Sequence, residues 1–174
     1  MHQVENILQV AIIEDKKLKL KKEPLNVHDI IEQIVIGHDI INGNNKIEAR
    51  LEAPHHIISG DKTHFTNLIK NLVDNAVKYS NELPQLSIKT YNDGKGMFIE
   101  IQDKGIGIPK EHLQRIFRKF YRVPTGNLHN VKGFGLGLNY VKNITKQFSG
   151  SISVQSEVNV GTTFKLYFPT INES

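Results

Sequence analysis

Residues 64–80, HFTNLIKNLVDNAVKYS, carry two patterns on one predicted helix. The apolar residues recur at the spacing of a single helical face; they are Phe65, Leu68, Ile69, Leu72, Val73 and Ala76. The other side carries Asn71 and Asn75, one turn apart, and then Lys78 and Tyr79. Asparagine costs a helix up to about 0.7 kcal/mol relative to alanine. A face that only met solvent would use Glu, Lys or Gln, so this polar column requires another reason.

The bulk composition is that of an ordinary globular protein. Of its 174 residues 39% are apolar and 23% charged, and the net charge of +4 suits an anionic ligand. No basic block is interleaved with aromatic residues, so nucleic-acid binding is not favoured. Cysteine is absent, which excludes disulfides and thiolate metal sites. No apolar run reaches the roughly 18 residues of a membrane span, and residues 1–20 lack the features of a signal peptide.

Strand and helix patterns alternate along the chain. Periodicity predicts strands at 18–25, 46–52, 55–60, 85–91, 96–103, 150–156 and 162–168, and helices at 27–41, 64–80 and 138–148. Asn26 and Asp61 are the expected N-caps of the first two helices. Sequential strand pairs predict an α/β (α+β) two-layer sandwich, with a mixed, mainly antiparallel sheet and about three helices on one face. Residues 104–136 hold five glycines and two prolines, too many for continuous regular structure.

Residues 98–109, FIEIQDKGIGIP, place a carboxylate at the end of a strand. Period 2 puts Asp103 on the apolar, inward face with Ile99 and Ile101. A buried carboxylate needs hydrogen-bond donors. Either a ligand supplies them, or Asp103 makes a turn-forming contact to the glycines that follow. Gly105 and Gly107 permit a sharp turn, or let a flat ligand lie against the backbone.

Two further glycine motifs come later in the chain. GFGLGL, residues 133–138, opens a helix, and free amides of alternate glycines there form an anion cradle. The motif is not a dinucleotide fingerprint, because Leu138 stands where the third glycine is needed, and it is not a Walker A loop, because no Gly-Lys-Ser/Thr follows. Gly161 begins a strand with Thr162 and Thr163, which alone are usual strand formers.

Together these stretches resemble the ATP-binding catalytic domain of bacterial two-component sensor histidine kinases. That domain has the Bergerat fold of a superfamily that also holds gyrase B, MutL and the heat-shock chaperone ATPases. Five motifs occur in the family's order: NLVDNAVKY as the N box, DKGIGIP as G1, IFRKFYRV as the F box, GFGLGL as G2 and GTTF as G3. The resemblance covers roughly residues 19–170, and five ordered motifs make it specific.

The resemblance gives the polar column a role at the phosphates of ATP. It implies that the Asn75 carboxamide oxygen binds Mg²⁺, a hard cation that takes oxygen ligands. Asn71, Asn75 and Lys78 are together implied to be the catalytic residues, Lys78 through its compact positive charge, and Tyr79 is expected to pack beside the nucleotide.

The adenine base has its own implied partners. By resemblance, Asp103 accepts a hydrogen bond from the adenine amino group. Thr162 or Thr163 assists through a water, and both remain candidates.

A mobile lid is implied at about residues 108–137. Gly133, Gly135 and Gly137 form its hinge and phosphate-contacting part, and Phe117 and Phe120 anchor it. Around these, the resemblance implies further nucleotide contacts from Gly105, Gly107, Ile108, Arg118, Arg122, Phe134, Leu136 and Leu138, the two arginines being available for phosphate or for a partner domain. Lys104 departs from the family's commoner asparagine and Phe134 is bulky for its place, so each is expected to alter lid mobility.

Asn71 separates branches of this superfamily. The ATP-hydrolysing members place a glutamate there as general base, and an amide cannot take a proton at neutral pH. The γ-phosphoryl is therefore expected to pass to another acceptor, which in these kinases is a histidine on a helical hairpin. None of the eight histidines fits that motif; His28 and His38 are interpreted as helix-surface residues. The acceptor is expected upstream of residue 1.

The predicted domain organisation follows from this reading. Residues 1–18, with an apolar stripe at Val4, Ile7, Leu8, Ala11 and Ile12, are the expected end of the dimerisation hairpin, an ordinary N-terminal helix being the alternative. Residues 19–174 are the expected catalytic domain. The expected partners are the dimerisation domain and a response regulator, in a homodimeric protein anchored in the bacterial inner membrane with this domain in the cytoplasm. An anti-sigma-type serine kinase and a nucleotide-binding relay without turnover remain alternatives.

Overall fold

A computed structural model describes residues 19–42, 46–80, 83–94, 96–124 and 133–171. In chain order the elements are β1 (Glu23–Asn26), α1 (Val27–Asn42), β2 (Lys46–Leu51), β3 (Ile57–Gly60), α2 (Lys62–Lys78), β4 (Gln85–Asp93), β5 (Gly96–Asp103), a 3₁₀ turn (Lys110–His112), α3 (Gly137–Gln147), β6 (Ser151–Glu157) and β7 (Gly161–Pro169). The predicted strands and helices are all found, with ends displaced by a few residues, most at the first strand. The expected helix end at residues 1–18 lies outside the described residues.

The main sheet has five strands in the order β2-β4-β5-β7-β6. β2 and β4 are parallel, and the other neighbours are antiparallel, as the sequence predicted. β1 and β3 form a separate antiparallel pair. The register of β5 against β7 sets Asp103 opposite Thr162 and Gln102 opposite Thr163, and this register positions the site described below.

The core lies between the sheet and the helices on one of its faces. The predicted apolar stripe of α2 is buried along its whole length, at Phe65, Leu68, Ile69, Leu72, Val73 and Ala76. It meets the inward residues of β5 and β7, which are Met97, Ile99, Ile101, Phe164, Leu166 and Phe168. Each fully buried side chain of this size contributes about 1.5–3 kcal/mol, so this seam holds α2, and with it the polar column, in a fixed orientation.

Helix caps fix where the helices begin. The Asp61 carboxylate accepts a hydrogen bond from the His64 N–H at 3.2 Å, and the Asn26 side chain accepts one from Asp29 at 3.2 Å. Both predicted N-caps are therefore confirmed.

The interpretation of His28 and His38 as surface residues was wrong. The His28 ring is half-buried, stacks on His56 with centroids 4.1 Å apart, and lies 2.9 Å through Nε2 from the Thr90 hydroxyl. The side chain of His38 is only 16% exposed and contacts Asp74 at 3.2 Å. The sequence places both on a helix, but it does not show that α1 packs against neighbours along this side.

Within the described residues, no helix is long and apolar enough to cross a membrane.

Candidate functional site

Three segments of the chain meet at the G1 loop, defined here as residues 104–109. The Ile106 N–H donates to the carbonyl oxygen of Tyr79 at the end of α2, at 3.0 Å. The Ile106 carbonyl accepts from Asn159 in the β6–β7 turn at 2.8 Å. The loop therefore joins the end of the polar column on α2 to the strand pair that carries Thr162.

Glycine is required in this loop because the backbone approaches so closely. Gly107 has φ +70°, and a Cβ there would lie 2.0 Å from the carbonyl oxygen of Glu157. A Cβ on Gly105 would lie 2.5 Å from the Tyr79 carbonyl oxygen. No real Cβ tolerates such contacts with backbone atoms, so a side chain at either position would push the three segments apart.

Asp103 is a buried carboxylate with one oxygen satisfied and one left open. It is 8% exposed. Its Oδ1 accepts hydrogen bonds from the N–H groups of Gly105 at 2.8 Å and Thr162 at 3.2 Å. Among the described residues, nothing donates to Oδ2. Burial raises the pKa of Asp103, and the two backbone donors oppose that rise. A ligand N–H directed at Oδ2 would complete its hydrogen bonding.

Of the two explanations that the sequence left open for Asp103, the structure shows the turn-forming contact, whereas a ligand donor stays a prediction. Oδ1 makes the turn-forming contact to Gly105, and Oδ2 remains for a further donor.

The register distinguishes the two candidate threonines. Thr162 is buried, at 6% exposure, and pairs with Asp103 on the inward side of the sheet. Its hydroxyl lies 2.8 Å from that of Ser156. Thr163 pairs with Gln102, whose side chain is exposed on the opposite face. Of the two threonines, Thr162 is the one placed beside the buried carboxylate.

The glycine segment, residues 133–137, lies along the polar column of α2. A Cβ on Gly137 would lie 2.6 Å from Asn71 Oδ1, and one on Gly133 would lie 2.9 Å from Lys78 Nζ. Asn71 and Lys78 are seven positions apart, about 10 Å along a helix, and Asn75 lies between them. The N-terminus of α3, at Gly137, is thus brought to the column with its free amides.

The carboxamides of the column are oriented differently. Asn71 Nδ2 donates to the carbonyl oxygen of Asn67 at 2.8 Å, which leaves Oδ1 on the side of Gly137. The Asn75 side chain is half-buried and makes no hydrogen bond with the described residues. Two amide oxygens are therefore available on one side of α2.

Positive charge gathers at the end of this column. The pKa of Lys78 is lowered by burial and then by the charge of Arg122, whereas burial raises the pKa of Tyr79 against the opposing effect of Arg122. Lys78 Nζ also lies 5.3 Å from the centre of the Tyr79 ring. The protein thus brings two cations close together beside a half-buried aromatic ring, an arrangement that favours an anion.

The expected lid anchors differ in the structure. Phe117 is partly buried and packs edge-on against Phe164, with centroids 6.4 Å apart. The prediction that the Phe120 side chain anchors the lid by packing was wrong. This side chain is 66% exposed, and the residue has a φ of +61°. Its backbone holds the segment, through an N–H that donates to the Gly135 carbonyl oxygen at 3.0 Å. The sequence showed an aromatic residue but not the left-handed backbone that turns it outward.

The remaining predicted contacts separate into two groups. Ile108, Leu136 and Leu138 pack on or near the core, whereas Phe134 is 65% exposed. Arg118 is exposed, and its side chain makes no hydrogen bond or ion pair with the described residues. Residues 125–132 of the expected lid lie outside the description.

Sequence reasoning missed Ser156. Its hydroxyl links the G1 loop, through the Ile108 N–H at 2.8 Å, to the start of β7, through the Gly161 carbonyl at 2.9 Å and Thr162. A serine in an alternating strand gives no local signal of such a role. The alternation of inward and outward residues along β6 and β7 could have placed Ser156 on the same face as Thr162.

Comparisons with known proteins agree with this geometry. The family of histidine kinase-, DNA gyrase B- and HSP90-like ATPases matches residues 60–172. The sensor protein RprX of Bacteroides fragilis is 45% identical over 97% of this chain and 33% of its own length. The sensor-like histidine kinase SenX3 of Mycobacterium tuberculosis is 33% identical over 86% of this chain and 37% of its own. The chain thus spans about a third of the length of these relatives.

A solved structure has the same fold. The mycobacterial sensor histidine kinase MprB superposes with a TM-score of 0.75 at 23% identity, covering 87% of this chain and 99% of that one.

The chain belongs to the histidine kinase-, DNA gyrase B- and HSP90-like ATPase family. The two relatives are a sensor protein and a sensor-like histidine kinase, and the fold of this chain is that of the sensor histidine kinase MprB.

Proposed function

We propose that this chain binds Mg-ATP and presents its γ-phosphoryl group to a histidine on a dimerisation domain, as the kinase module of a two-component system. The observation that carries the proposal is the pairing of an open, buried acceptor at Asp103 with a glycine segment that runs along Asn71 and Lys78. One end suits a base with an N–H donor, and the other suits phosphates.

The base subsite is best matched by adenine. An ionised carboxylate only accepts hydrogen bonds, and adenine offers an amino group. Asp103 Oδ2 is desolvated without a donor from the described residues, so binding such a group relieves an existing cost. Thr162 supports the same subsite from the adjacent strand.

The phosphate subsite fits a magnesium ion through its donor set. Amide oxygens are ligands that Mg²⁺ accepts, usually together with waters and phosphate oxygens. Asn75 would hold the ion, since its carboxamide makes no hydrogen bond with the described residues. When bound, Mg²⁺ neutralises phosphate charge. Lys78 and Arg122 add positive charge at the end of the same column.

Asn71 supports transfer over hydrolysis. Its Nδ2 is occupied by Asn67 and its Oδ1 faces Gly137, and an amide of either orientation cannot act as general base. Water at this position is therefore not activated, and the phosphoryl group is kept for the acceptor domain.

The wider assignments belong to the whole protein. We propose a homodimer with a dimerisation and phosphoacceptor hairpin ahead of this domain, a response regulator that receives the phosphoryl group, and a membrane anchor outside this chain. The name of the relative SenX3, a sensor-like histidine kinase, favours a histidine kinase over a serine kinase.

Calorimetric titration of Mg-ATP into the 174-residue chain tests the proposal. We expect binding by the parent and its loss in Asn75→Ala, because the carboxamide is a ligand and contributes nothing to the core. Asn143→Ala is a matched control: among the described residues the side chain of this exposed asparagine on α3 bonds only to Asn139, at 3.2 Å, so its loss should leave binding unchanged.

Phosphoryl transfer is tested separately with γ-labelled ATP. The chain should label the dimerisation hairpin of its own full-length protein and should not label itself. Unchanged Mg-ATP affinity in Asn75→Ala would refute the metal role, and robust self-labelling would refute the assignment of the acceptor.

A further inference from the structure

Ser156 is a half-buried serine whose hydroxyl has a full set of hydrogen-bond partners. It lies 2.8 Å from the Ile108 N–H, 2.9 Å from the Gly161 carbonyl oxygen and 2.8 Å from the Thr162 hydroxyl. A serine hydroxyl has one proton to donate and two lone pairs to accept with. Three partners therefore use everything that this group offers.

The direction of each bond follows from the partners. The Ile108 N–H can only donate, and the Gly161 carbonyl can only accept. The serine proton is therefore committed to Gly161, and the hydroxyl of Thr162 must donate to Ser156.

That direction determines what Thr162 offers a ligand. With its proton held by Ser156, the Thr162 oxygen has only lone pairs left. Asp103 Oδ2 on the paired residue is likewise an acceptor. The subsite thus presents two acceptors and no hydroxyl donor from this pair.

We infer that Ser156 is a positioning residue for base choice: by holding the Thr162 proton, it keeps the base subsite free of a donor that a guanine carbonyl could use. The inference rests on the proposed nucleotide-binding function and deepens it. Ser156 acts through Thr162 and need not touch the nucleotide.

Removing the serine hydroxyl should change selectivity more than affinity. In Ser156→Ala the Thr162 hydroxyl is free to rotate and donate, so a carbonyl oxygen becomes acceptable. The value of one hydrogen bond, converted to affinity, predicts that the preference for ADP over GDP falls roughly three- to tenfold. Loss of the Ile108 contact would weaken both nucleotides together and leave their ratio unaltered.

The experiment measures ADP and GDP affinities of the 174-residue chain by calorimetry for the parent, Ser156→Ala, Ser156→Thr and Ser153→Ala. Ser153 lies on the same strand, exposed on the outward face, so its loss should leave the ratio unchanged. The threonine variant keeps the hydroxyl and should restore the parent ratio. In a Thr162→Val background, Ser156→Ala should have no further effect on the ratio, as a double-mutant cycle requires.

The outcomes test the role of Ser156 and the proposed nucleotide binding separately. An unchanged ratio in Ser156→Ala, or a threonine variant that shifts it as far as alanine does, overturns the role of Ser156. Should Ser156→Ala fail to fold by circular dichroism, Thr162→Val carries the test: ADP affinity should fall roughly three- to tenfold, and an unchanged value overturns the inference. A parent that binds neither nucleotide refutes the proposed function itself.

Discussion

The two ends of the β4–β5 pair both carry buried polar groups, but only one end is complete. At the Thr90 end, the Thr90 hydroxyl contacts His28 Nε2 at 2.9 Å and the Ala53 N–H at 3.4 Å, and Asn92 bonds the backbone of His55 in both directions. At the Asp103 end, one carboxylate oxygen has no donor among the described residues.

The difference separates structure from function. A protein satisfies its buried polar groups wherever it can, because each one left unpaired costs about 1–3 kcal/mol. The Thr90 end meets that rule and joins α1, β4 and the chain before β3. The Asp103 end departs from it beside the G1 loop, and we propose that a ligand is the missing partner.

The largest expected effect comes from replacing the hydrogen-bond acceptor at Asp103 Oδ2 with a donor. In Asp103→Asn, the N–H groups of Gly105 and Thr162 should hold the amide oxygen in place of Oδ1, so the NH₂ group points where Oδ2 was. The parent should prefer ADP over GDP by more than about a hundredfold, since an unpaired buried charge costs on the order of 3 kcal/mol. The variant should lose most of that preference.

Competition of ADP and GDP against a fluorescent ATP analogue measures both proteins. Equal affinities in the parent would mean that Asp103 serves only the turn at Gly105.

The next largest effect is a difference in stability between alanine variants of two left-handed glycines, one at each end of the β4–β5 pair. Gly107 (φ +70°) and Gly94 (φ +65°) have similar backbones, but a Cβ at Gly107 would meet a backbone oxygen at 2.0 Å, whereas one at Gly94 meets nothing within 4 Å. Alanine should cost about 1–2 kcal/mol at Gly94 from left-handed strain alone. At Gly107 overpacking adds about 1–3 kcal/mol.

Urea unfolding of the two alanine variants measures this difference. Gly107→Ala should also lose nucleotide affinity, because the G1 loop moves, and Gly94→Ala should keep it. Equal stability losses would show that the β6–β7 turn yields easily and does not shape the site.

Much of this contrast could be predicted from the sequence. The stripe from Phe65 to Ala76, the cap at Asp61 and the inward position of Asp103 all follow from periodicity, which is a local property. The same rule applied to β7 would have selected Thr162, because Thr162 shares parity with the apolar Phe164 and Leu166 and Thr163 does not.

Other features depend on contacts that no local pattern contains. Ser156 matters because the β6–β7 register sets it beside Thr162, and the exposure of Phe120 follows from a backbone angle of +61°. His28 is covered because His56 arrives from a distant segment. Local patterns thus predicted the elements and the motif residues, whereas hydrogen-bond directions and burial at the ends of the sheet required the tertiary structure.

The smallest expected effect is a pH dependence of stability at the Thr90 end, which arises from His28. Burial lowers the pKa of His28, the neighbouring His56 lowers it further, and Asp29 opposes them. The unfolded chain therefore binds a proton more readily than the folded protein, so His28 favours the folded state above its ordinary pKa of about 6.5 and that contribution is lost as pH falls through the lowered value. Urea unfolding between about pH 7.5 and 5.5 should show a modest loss of stability in the parent and a flatter profile in His28→Gln, which cannot titrate. His55→Gln is the control, because this exposed histidine acts through its backbone, and its profile should match the parent. If His28→Gln lost stability with falling pH as steeply as the parent does, His28 would not be the cause. The Thr90 end would then be insensitive to pH in this range.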